Sequence, residues 1–128
     1  MSKTKKQRLG TWGEEQASLF LIRQGYNIVI RNYQIRQGEV DIIAWHNKQY
    51  FGRTLCFIEV KTRSYGLGSA ERATGKEKQR KVFRAAQQYC IENKISLDLT
   101  PIQFEQVSVY VDEKIKKVRL KKYVIPVE

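Results

Sequence analysis

Two segments with helical spacing enclose three short apolar runs, and this order constrains the fold more than any other feature of the sequence. Apolar residues between Leu9 and Leu21 recur at helical intervals, and Gly25 is a typical helix stop signal. A glycine-containing loop over 64–69 precedes a second, strongly basic helix, which is predicted from residue 74 to about residue 93. The chain therefore starts with a helix, passes through strands and returns to a helix.

The apolar runs between the helices are short, rich in β-branched residues and bounded by polar residues or glycine, as strands are. They cover 27–31, 38–44 and 55–61, and two further strands are predicted over 102–111 and 116–124. A turn that begins at Asp112 is predicted to join these last two strands. The element order αβββαββ predicts an α/β or α+β sandwich.

The length of 128 residues is that of one ordinary domain, and the 41% apolar and 29% charged fractions are typical of globular proteins. We expect a basic flexible tail over 1–8 and a single domain over 9–128. No segment has the pattern of a signal peptide or of a membrane span, so a cytoplasmic location is expected. Cys56 and Cys90 lack the spacing of a zinc site or a disulfide framework.

The charge is far from average, because 24 Lys and Arg residues face 13 Asp and Glu residues and leave a net charge of +11. This excess indicates a partner that is a polyanion, and nucleic acid is the leading candidate. An acidic membrane surface is a weaker alternative, because the basic residues are spread along the chain rather than along one amphipathic helix. A third interpretation is a protein that docks on an acidic protein partner.

Glu59 and Lys61, two residues apart on one predicted strand, are candidates for a chemical site. Side chains two residues apart on a strand share a face, so Glu59 and Lys61 are predicted to project together, away from Ile58. A face with these charges is not expected to belong to the core. If the preceding strand pairs with this one, Asp41 projects beside Glu59, and two carboxylates lie next to an ammonium group.

Two adjoining carboxylates repel each other, and a hard divalent cation such as Mg²⁺ relieves that repulsion. A metal held in this way polarises a phosphodiester, and an adjacent lysine orients water or neutralises the charge that develops. The pattern therefore indicates phosphodiester hydrolysis. The alternative is a solvent-facing strand whose Glu59 and Lys61 form surface ion pairs worth about 0–1 kcal/mol.

Several motifs resemble known families. Gly38-Glu-Val-Asp-Ile-Ile-Ala44, followed by Phe57-Ile-Glu-Val-Lys-Thr-Arg63, resembles the PD-(D/E)xK nuclease superfamily. Four shorter motifs resemble the small bacterial YraN-like family, which is related in sequence to archaeal Holliday-junction resolvases: Gly10-x-x-Gly13-Glu14-x-x-Ala17, Gly25-Tyr26, Arg31-Asn32-Tyr33 and Lys78-Gln79. The resemblance covers about residues 9–90. Val40 stands where the superfamily has proline, and Phe104-Glu-Gln-Val107 departs from the Phe-Asp-Val pattern of the family.

The resemblance implies a restriction-endonuclease-like αβββαβ core with a mixed central sheet flanked by helices. It also implies that Asp41 and Glu59 bind Mg²⁺ or Mn²⁺, that Lys61 is the catalytic lysine and that Glu14 is an auxiliary acid. The helix pattern places Glu14 on the flank of the apolar stripe, and a capping or surface role is the alternative. Further residues are expected to support the site or to contact nucleic acid, with a solvated surface as the alternative: Glu39, Arg63, Lys76, Lys78 and Gln79.

The segment 45–53 combines aromatic and basic residues and is predicted to be a long loop between two strands. Trp45, Tyr50 and Phe51 beside basic residues are suited to unstacked nucleic acid, or they anchor the loop on the core. His46 in this segment is interpreted as an exposed loop residue.

These observations predict a DNA-binding, metal-dependent endonuclease that acts on duplex or branched DNA. The alternative is a non-catalytic module that binds DNA or RNA on the same fold, so RNA is not excluded. No membrane is expected among the partners, and the sequence leaves open whether the chain is a monomer or a homodimer.

Overall fold

The computed structural model describes residues 4–63, 75–112, 114–115 and 117–126. In chain order the elements are α1 (Lys5–Arg23), β1 (Asn27–Ile35), β2 (Gly38–Lys48), β3 (Gly52–Arg63), α2 (Lys76–Glu92), β4 (Ile102–Asp112) and β5 (Lys117–Ile125). The predicted order of helices and strands is confirmed. The predicted loop over 64–69 lies outside the described residues.

The five strands form one sheet in the order β1-β2-β3-β4-β5. Neighbouring strands are antiparallel except β3 and β4, which are parallel. A parallel pair requires a crossover connection, and α2 lies in the connection between these two strands. The chain is therefore an α+β protein with a mixed sheet, consistent with the restriction-endonuclease-like core that the resemblance implied.

Each face of the sheet is covered by one helix. Leu21 of α1 packs with Ile42 and Ile58 in one core layer, and Val82 of α2 packs with Phe57 in the other layer. Because both faces are buried, β2 and β3 are apolar over much of their length rather than alternating between apolar and polar residues. Any polar group in the centre of this sheet consequently loses its contact with water.

The first helix begins earlier than the apolar pattern predicts. Thr4 is its N-cap, with its hydroxyl accepting a hydrogen bond from the Gln7 N–H at 3.1 Å while Gln7 Oε1 accepts from the Thr4 N–H at 2.9 Å. This reciprocal capping box satisfies helix-end donors. Residues 5–8 are therefore helical, and assigning them to a flexible tail was wrong. The predicted stop is confirmed, because Gly25 follows the helix with a φ of 90°.

The segment 45–53 is a continuation of two strands and not a long loop. β2 runs to Lys48 and β3 starts at Gly52, so only residues 49–51 form the turn. The Arg53 guanidinium lies 4.1 Å from the centre of the half-buried Trp45 ring. His46 lies within β2 and stacks on Tyr26 with a centroid distance of 3.8 Å, so its interpretation as an exposed loop residue was wrong.

Candidate functional site

Asp41 lies in β2 at a point where the alternation of side chains between the two faces of the sheet is interrupted. Val40 packs in the layer of α2, but Ile42 packs in the layer of α1, although residues two apart normally share a face. The pairing of β2 with β3 begins at Ile42, opposite Ile58. The Asp41 carboxylate then accepts a hydrogen bond from the Val60 N–H at 2.8 Å. The side chain thus takes the place of a backbone partner, and β3 fixes its position.

Glu59 lies on β3 and is buried, with 2% of its surface exposed. Leu55 and Phe57 share its face and pack in the core layer of α2, so the expectation that this face lies outside the core was wrong. One Glu59 carboxylate oxygen, Oε2, is 3.5 Å from the Lys78 ammonium. The other oxygen, Oε1, is buried and has no hydrogen-bond partner among the described residues. A surface ion pair is therefore not the environment of Glu59.

The two carboxyl groups that the sequence singled out are next to each other. Burial first, then the adjacent Asp41 charge and a hydrogen bond between the two groups, raise the pKa of Glu59 to about 8 against the opposing effect of Lys78. Burial also raises the pKa of Asp41, opposed by the Val60 N–H, by Lys78 and by the hydrogen bond from Glu59. Near neutral pH the pair therefore retains a proton on Glu59.

Glu14 of α1 reaches this pair from the other layer. It is half-buried, and burial followed by the charge of Asp41 raises its pKa. A hydrogen bond between Glu14 and Asp41 acts in the same direction. Glu14 lies inside α1, whose N-cap is Thr4, so it does not cap the helix, and it lines the same cleft as Asp41.

Cationic side chains lie on the α2 side of the site. Lys61 is half-buried, and its pKa is lowered by burial and then by the nearby charges of Lys78 and Arg63. Arg63 is exposed near the end of β3, and Lys78 is on α2 with 47% of its side chain exposed. The charges of Lys78 and Arg63 thus lower the proton affinity of Lys61, and such a group of cations is suited to an anionic ligand.

The remaining predicted residues differ in their distance from this centre. Gln79 is half-buried and lines a small gap together with Glu59. Glu39 is exposed and accepts a hydrogen bond from Gln34 Nε2 at 3.4 Å, although its charge still raises the pKa of Asp41. Lys76 is exposed in the first turn of α2. Glu39 and Lys76 therefore belong to the surface around the site.

An open cleft of about 520 Å³ leads to Asp41 and Glu14. One wall is the N-terminal half of α1, and the other is formed by the end of β3 and by Lys78. The cleft opens at the carboxyl end of β3, whereas the turn at 49–51 lies at the opposite end of this strand. The aromatic residues of that turn, Tyr50 and Phe51, are thus remote from the carboxylates.

The chemistry of this cluster fits a hard divalent cation. Mg²⁺ is commonly bound through one or two carboxylates, with water and substrate phosphate as its remaining ligands. Within the described part of the chain, no group of three or more Asp, Glu, His or Cys side chains is arranged as a metal centre. The pair of Asp41 and Glu59 therefore fits Mg²⁺ or Mn²⁺ with an incomplete protein shell, and it does not fit a closed zinc site.

The sequence reasoning missed how α1 is held against the sheet. A Cβ atom at Gly13 would lie 1.8 Å from Thr62 Oγ1, so only glycine allows the helix to pack this closely on β3. The next residue is Glu14, which this packing brings to Asp41. The signal was present as a glycine in the interior of a helix, where it costs stability unless a close approach requires it.

The fold and the site together define an α+β protein with an acidic pair and neighbouring lysines at one end of a mixed sheet. Residues 13–109 match the uncharacterised protein family UPF0102. A UPF0102 protein of Alkaliphilus oremlandii is 38% identical over 112 residues, which cover 87% of this chain and 92% of that protein. A UPF0102 protein of Syntrophotalea carbinolica is 42% identical over 102 residues, covering 79% of this chain and 77% of its own length.

The chain therefore belongs to UPF0102, the YraN family, as its motifs indicated. A UPF0102 protein of Prosthecochloris aestuarii extends the similarity to 90% of this chain at 37% identity. In the part of the chain that the structure describes, neither helix is long and apolar enough to span a membrane.

Proposed function

We propose that this protein is a metal-dependent nuclease that binds DNA and hydrolyses its phosphodiester bonds. The observation that carries the proposal is the buried Glu59, which has one carboxylate oxygen without a hydrogen-bond partner and the Asp41 carboxyl beside it. A buried polar group without a partner costs free energy, and such groups are frequent at functional sites. A cation and a substrate phosphate are the ligands that suit this arrangement.

Each side chain has a role that follows from its position. When bound, Mg²⁺ or Mn²⁺ supplies a Lewis acid that polarises the phosphodiester and promotes attack by water. The Val60 N–H orients Asp41, so this carboxylate needs no rearrangement before binding. Lys61 shares the face of Glu59 and offers an ammonium group to the phosphate oxygens as they gain negative charge. Glu14 lies next to Asp41, and its raised pKa favours a proton on this pair of acids in the free protein.

The net charge of +11 supports DNA as the partner, because phosphate contacts by Lys and Arg release counterions. Lys78 and Arg63 are exposed beside the cleft and are the nearest candidates for such contacts. The alternative function is a module that binds DNA or RNA without cleaving it. In that case the basic surface acts alone, and the carboxyl pair stays protonated without a metal.

A cleavage assay tests the proposal. The wild type is incubated with Mn²⁺ or Mg²⁺ and with single-stranded, duplex, flap and four-way-junction DNA, and we expect cleavage of at least one substrate. Lys61→Ala should fold and bind DNA but lose about 10²–10³-fold or more in rate, because a preorganised charge is missing in the transition state. Lys81→Ala changes an exposed lysine on α2 and should cleave at the rate of the wild type.

Binding distinguishes the two functions if no cleavage occurs. Affinity for DNA should fall on the order of a hundredfold between about 50 and 200 mM salt if some six phosphates are contacted. Such binding without cleavage of any substrate would replace the nuclease by the binding module, with an RNA duplex as a further arm. Neither cleavage nor salt-dependent binding would contradict both functions.

A further inference from the structure

Helix α1 contains two glycines whose surroundings differ completely. Gly13 is buried, and a Cβ there would overlap Thr62. Gly10 is exposed, and a Cβ at this position would have no atom within 4 Å. Packing explains Gly13, but it does not explain why Gly10 lacks a side chain. A helix with glycine in its interior is less stable than one with alanine there, and no close packing at Gly10 compensates for this loss.

Gly10 lies on the wall of the cleft that leads to the carboxylates. It lines this cleft together with Glu14, Asp41 and Lys78. Because residues four apart lie on the same face of a helix, Gly10 is one turn before Glu14 along the same wall. The helix backbone is therefore bare in front of the acidic site, and any side chain at residue 10 would project into the cleft.

We propose that the bare helix surface at Gly10 is the contact surface for the sugar–phosphate backbone of the DNA strand that reaches Asp41. This inference rests on the proposed nuclease function and assigns the route by which the substrate enters. Glycine permits a ligand backbone to approach a helix closely. Lys78 faces the strand from the other side of the cleft with a side chain that is 47% exposed. Gly10 is thus a determinant of substrate access, while Gly13 is a packing residue.

The test uses the opposite effects that alanine should have on stability and on binding. Gly10→Ala should raise the melting temperature by roughly 4 °C, because alanine favours the helix and the space is open. The same variant should bind labelled duplex and four-way-junction DNA at least tenfold more weakly at a fixed salt concentration, and Gly10→Gln should weaken binding further. Leu19→Ala, on the exposed surface of α1 outside the cleft, should bind within twofold of the wild type.

Each outcome decides the matter. If Gly10→Ala and Gly10→Gln bind DNA as tightly as the wild type does, the inference fails while the proposed function stands. If Gly10→Ala lowers the melting temperature, Gly10 has a packing role and the inference also fails. If the wild type neither binds nor cleaves DNA, the proposed function fails and takes this inference with it. Gly13→Ala provides the contrast, because its melting temperature should fall.

Discussion

Two glutamates are buried in neighbouring strands of the same sheet, and they have different hydrogen-bond and ion-pair partners. Glu105 on β4 is 0% exposed and Glu59 on β3 is 2% exposed. Glu105 contacts Tyr26 in the layer of α1, whereas Glu59 contacts Lys78 of α2. Desolvation penalises both charges, and the chain compensates the two buried carboxylates in different ways.

Both oxygens of Glu105 have partners from distant parts of the chain. The Tyr26 hydroxyl donates to Oε1 at 2.6 Å, and the Lys48 ammonium lies 2.7 Å from Oε2. The same hydroxyl accepts hydrogen bonds from Lys48 at 2.8 Å and from Lys122 at 2.6 Å. One donor and two acceptor sites are the full capacity of a tyrosine hydroxyl. We call this network closed, because the Tyr26 hydroxyl is saturated and the Lys48 ion pair contacts the second oxygen of Glu105, Oε2, which has no other partner among the described residues.

Glu59 has the opposite arrangement. One of its oxygens has no partner within the described residues, its cation is 3.5 Å away on a half-exposed side chain, and a second carboxyl group lies beside it. A chain that gives both oxygens of Glu105 a partner has the means to do the same for Glu59. The Glu59 oxygen without a hydrogen-bond partner is therefore better explained by a ligand than by poor packing. Substitutions around each of the two glutamates test this contrast.

The largest effect should come from the closed network. Lys48→Met removes one partner of a nearly buried ion pair and should reduce the free energy of unfolding by up to about 3–5 kcal/mol, because Glu105 loses its ion-pair partner and only Lys122 remains in the network. Urea unfolding measures this loss. Lys117→Met on the exposed edge of β5 is the control and should change stability by no more than about 0.5 kcal/mol. A Lys48→Met variant as stable as this control would show that the network does not stabilise the fold.

The next effect is a dependence on pH that Glu59 should cause. Its pKa is raised from 4.5 in the unfolded chain to about 8, so its contribution to stability is fully present below about pH 4.5 and is lost as the pH rises through 8. On the order of 2–4 kcal/mol should be lost across this window, since each pKa unit corresponds to about 1.4 kcal/mol. Glu59→Gln stays neutral and should show a flatter profile, measured by urea unfolding from pH 5 to pH 8.5. Equal slopes in the two proteins would contradict the burial of an ionisable Glu59.

A third effect should come from metal binding at the open pair. Mn²⁺ at about a hundred times its dissociation constant should stabilise the wild type by roughly 2.7 kcal/mol, visible as a raised melting temperature. Asp41→Asn should lose this response and, at pH values above about 8 where Glu59 ionises, be at least as stable as the wild type without metal, because a like charge near Glu59 is removed. Glu39→Gln changes an exposed acid two residues away and should respond as the wild type does. A response retained by Asp41→Asn would place the metal elsewhere.

The contrast between the glutamates also shows where sequence reasoning ends. Strand periodicity correctly put Glu59 on the face opposite Ile58, because alternation is a local property of the backbone. The burial of Glu59 was not predictable in this way, since it depends on α2 and on a core layer that also contains Phe57. Alternation along one strand does not tell how many faces of a sheet are covered.

The closed network around Glu105 could not be predicted from the sequence for a different reason. Tyr26, Lys48, Glu105 and Lys122 lie on four separate elements or connections, so no local pattern links them. Phe104-Glu-Gln-Val107 stood out only as a departure from a family motif, and the polar residues before the turn at 49–51 were taken for a loop. In the structure the pairing of Lys48 with Glu105 and the stacking of His46 on Tyr26 extend β2 through these polar residues. Tertiary contacts therefore override local preference in this segment.

The smallest effect should distinguish the two lysines that face the two glutamates. Lys78→Met removes an ammonium group 3.5 Å from Glu59, and because the Lys78 side chain is 47% exposed, water compensates for much of its loss. Exposed ion pairs contribute about 0–1 kcal/mol, and we expect a loss within this range at pH 8, measured by urea unfolding. At pH 5 the loss should vanish, because Glu59 is then protonated and has no charge to pair with Lys78. Lys81→Met, on the exposed surface of α2, should be neutral at both values. A loss at pH 5 as large as that of Lys48→Met would mean that Lys78 is a structural partner of Glu59, and the site would then be closed in the same way as the network around Glu105.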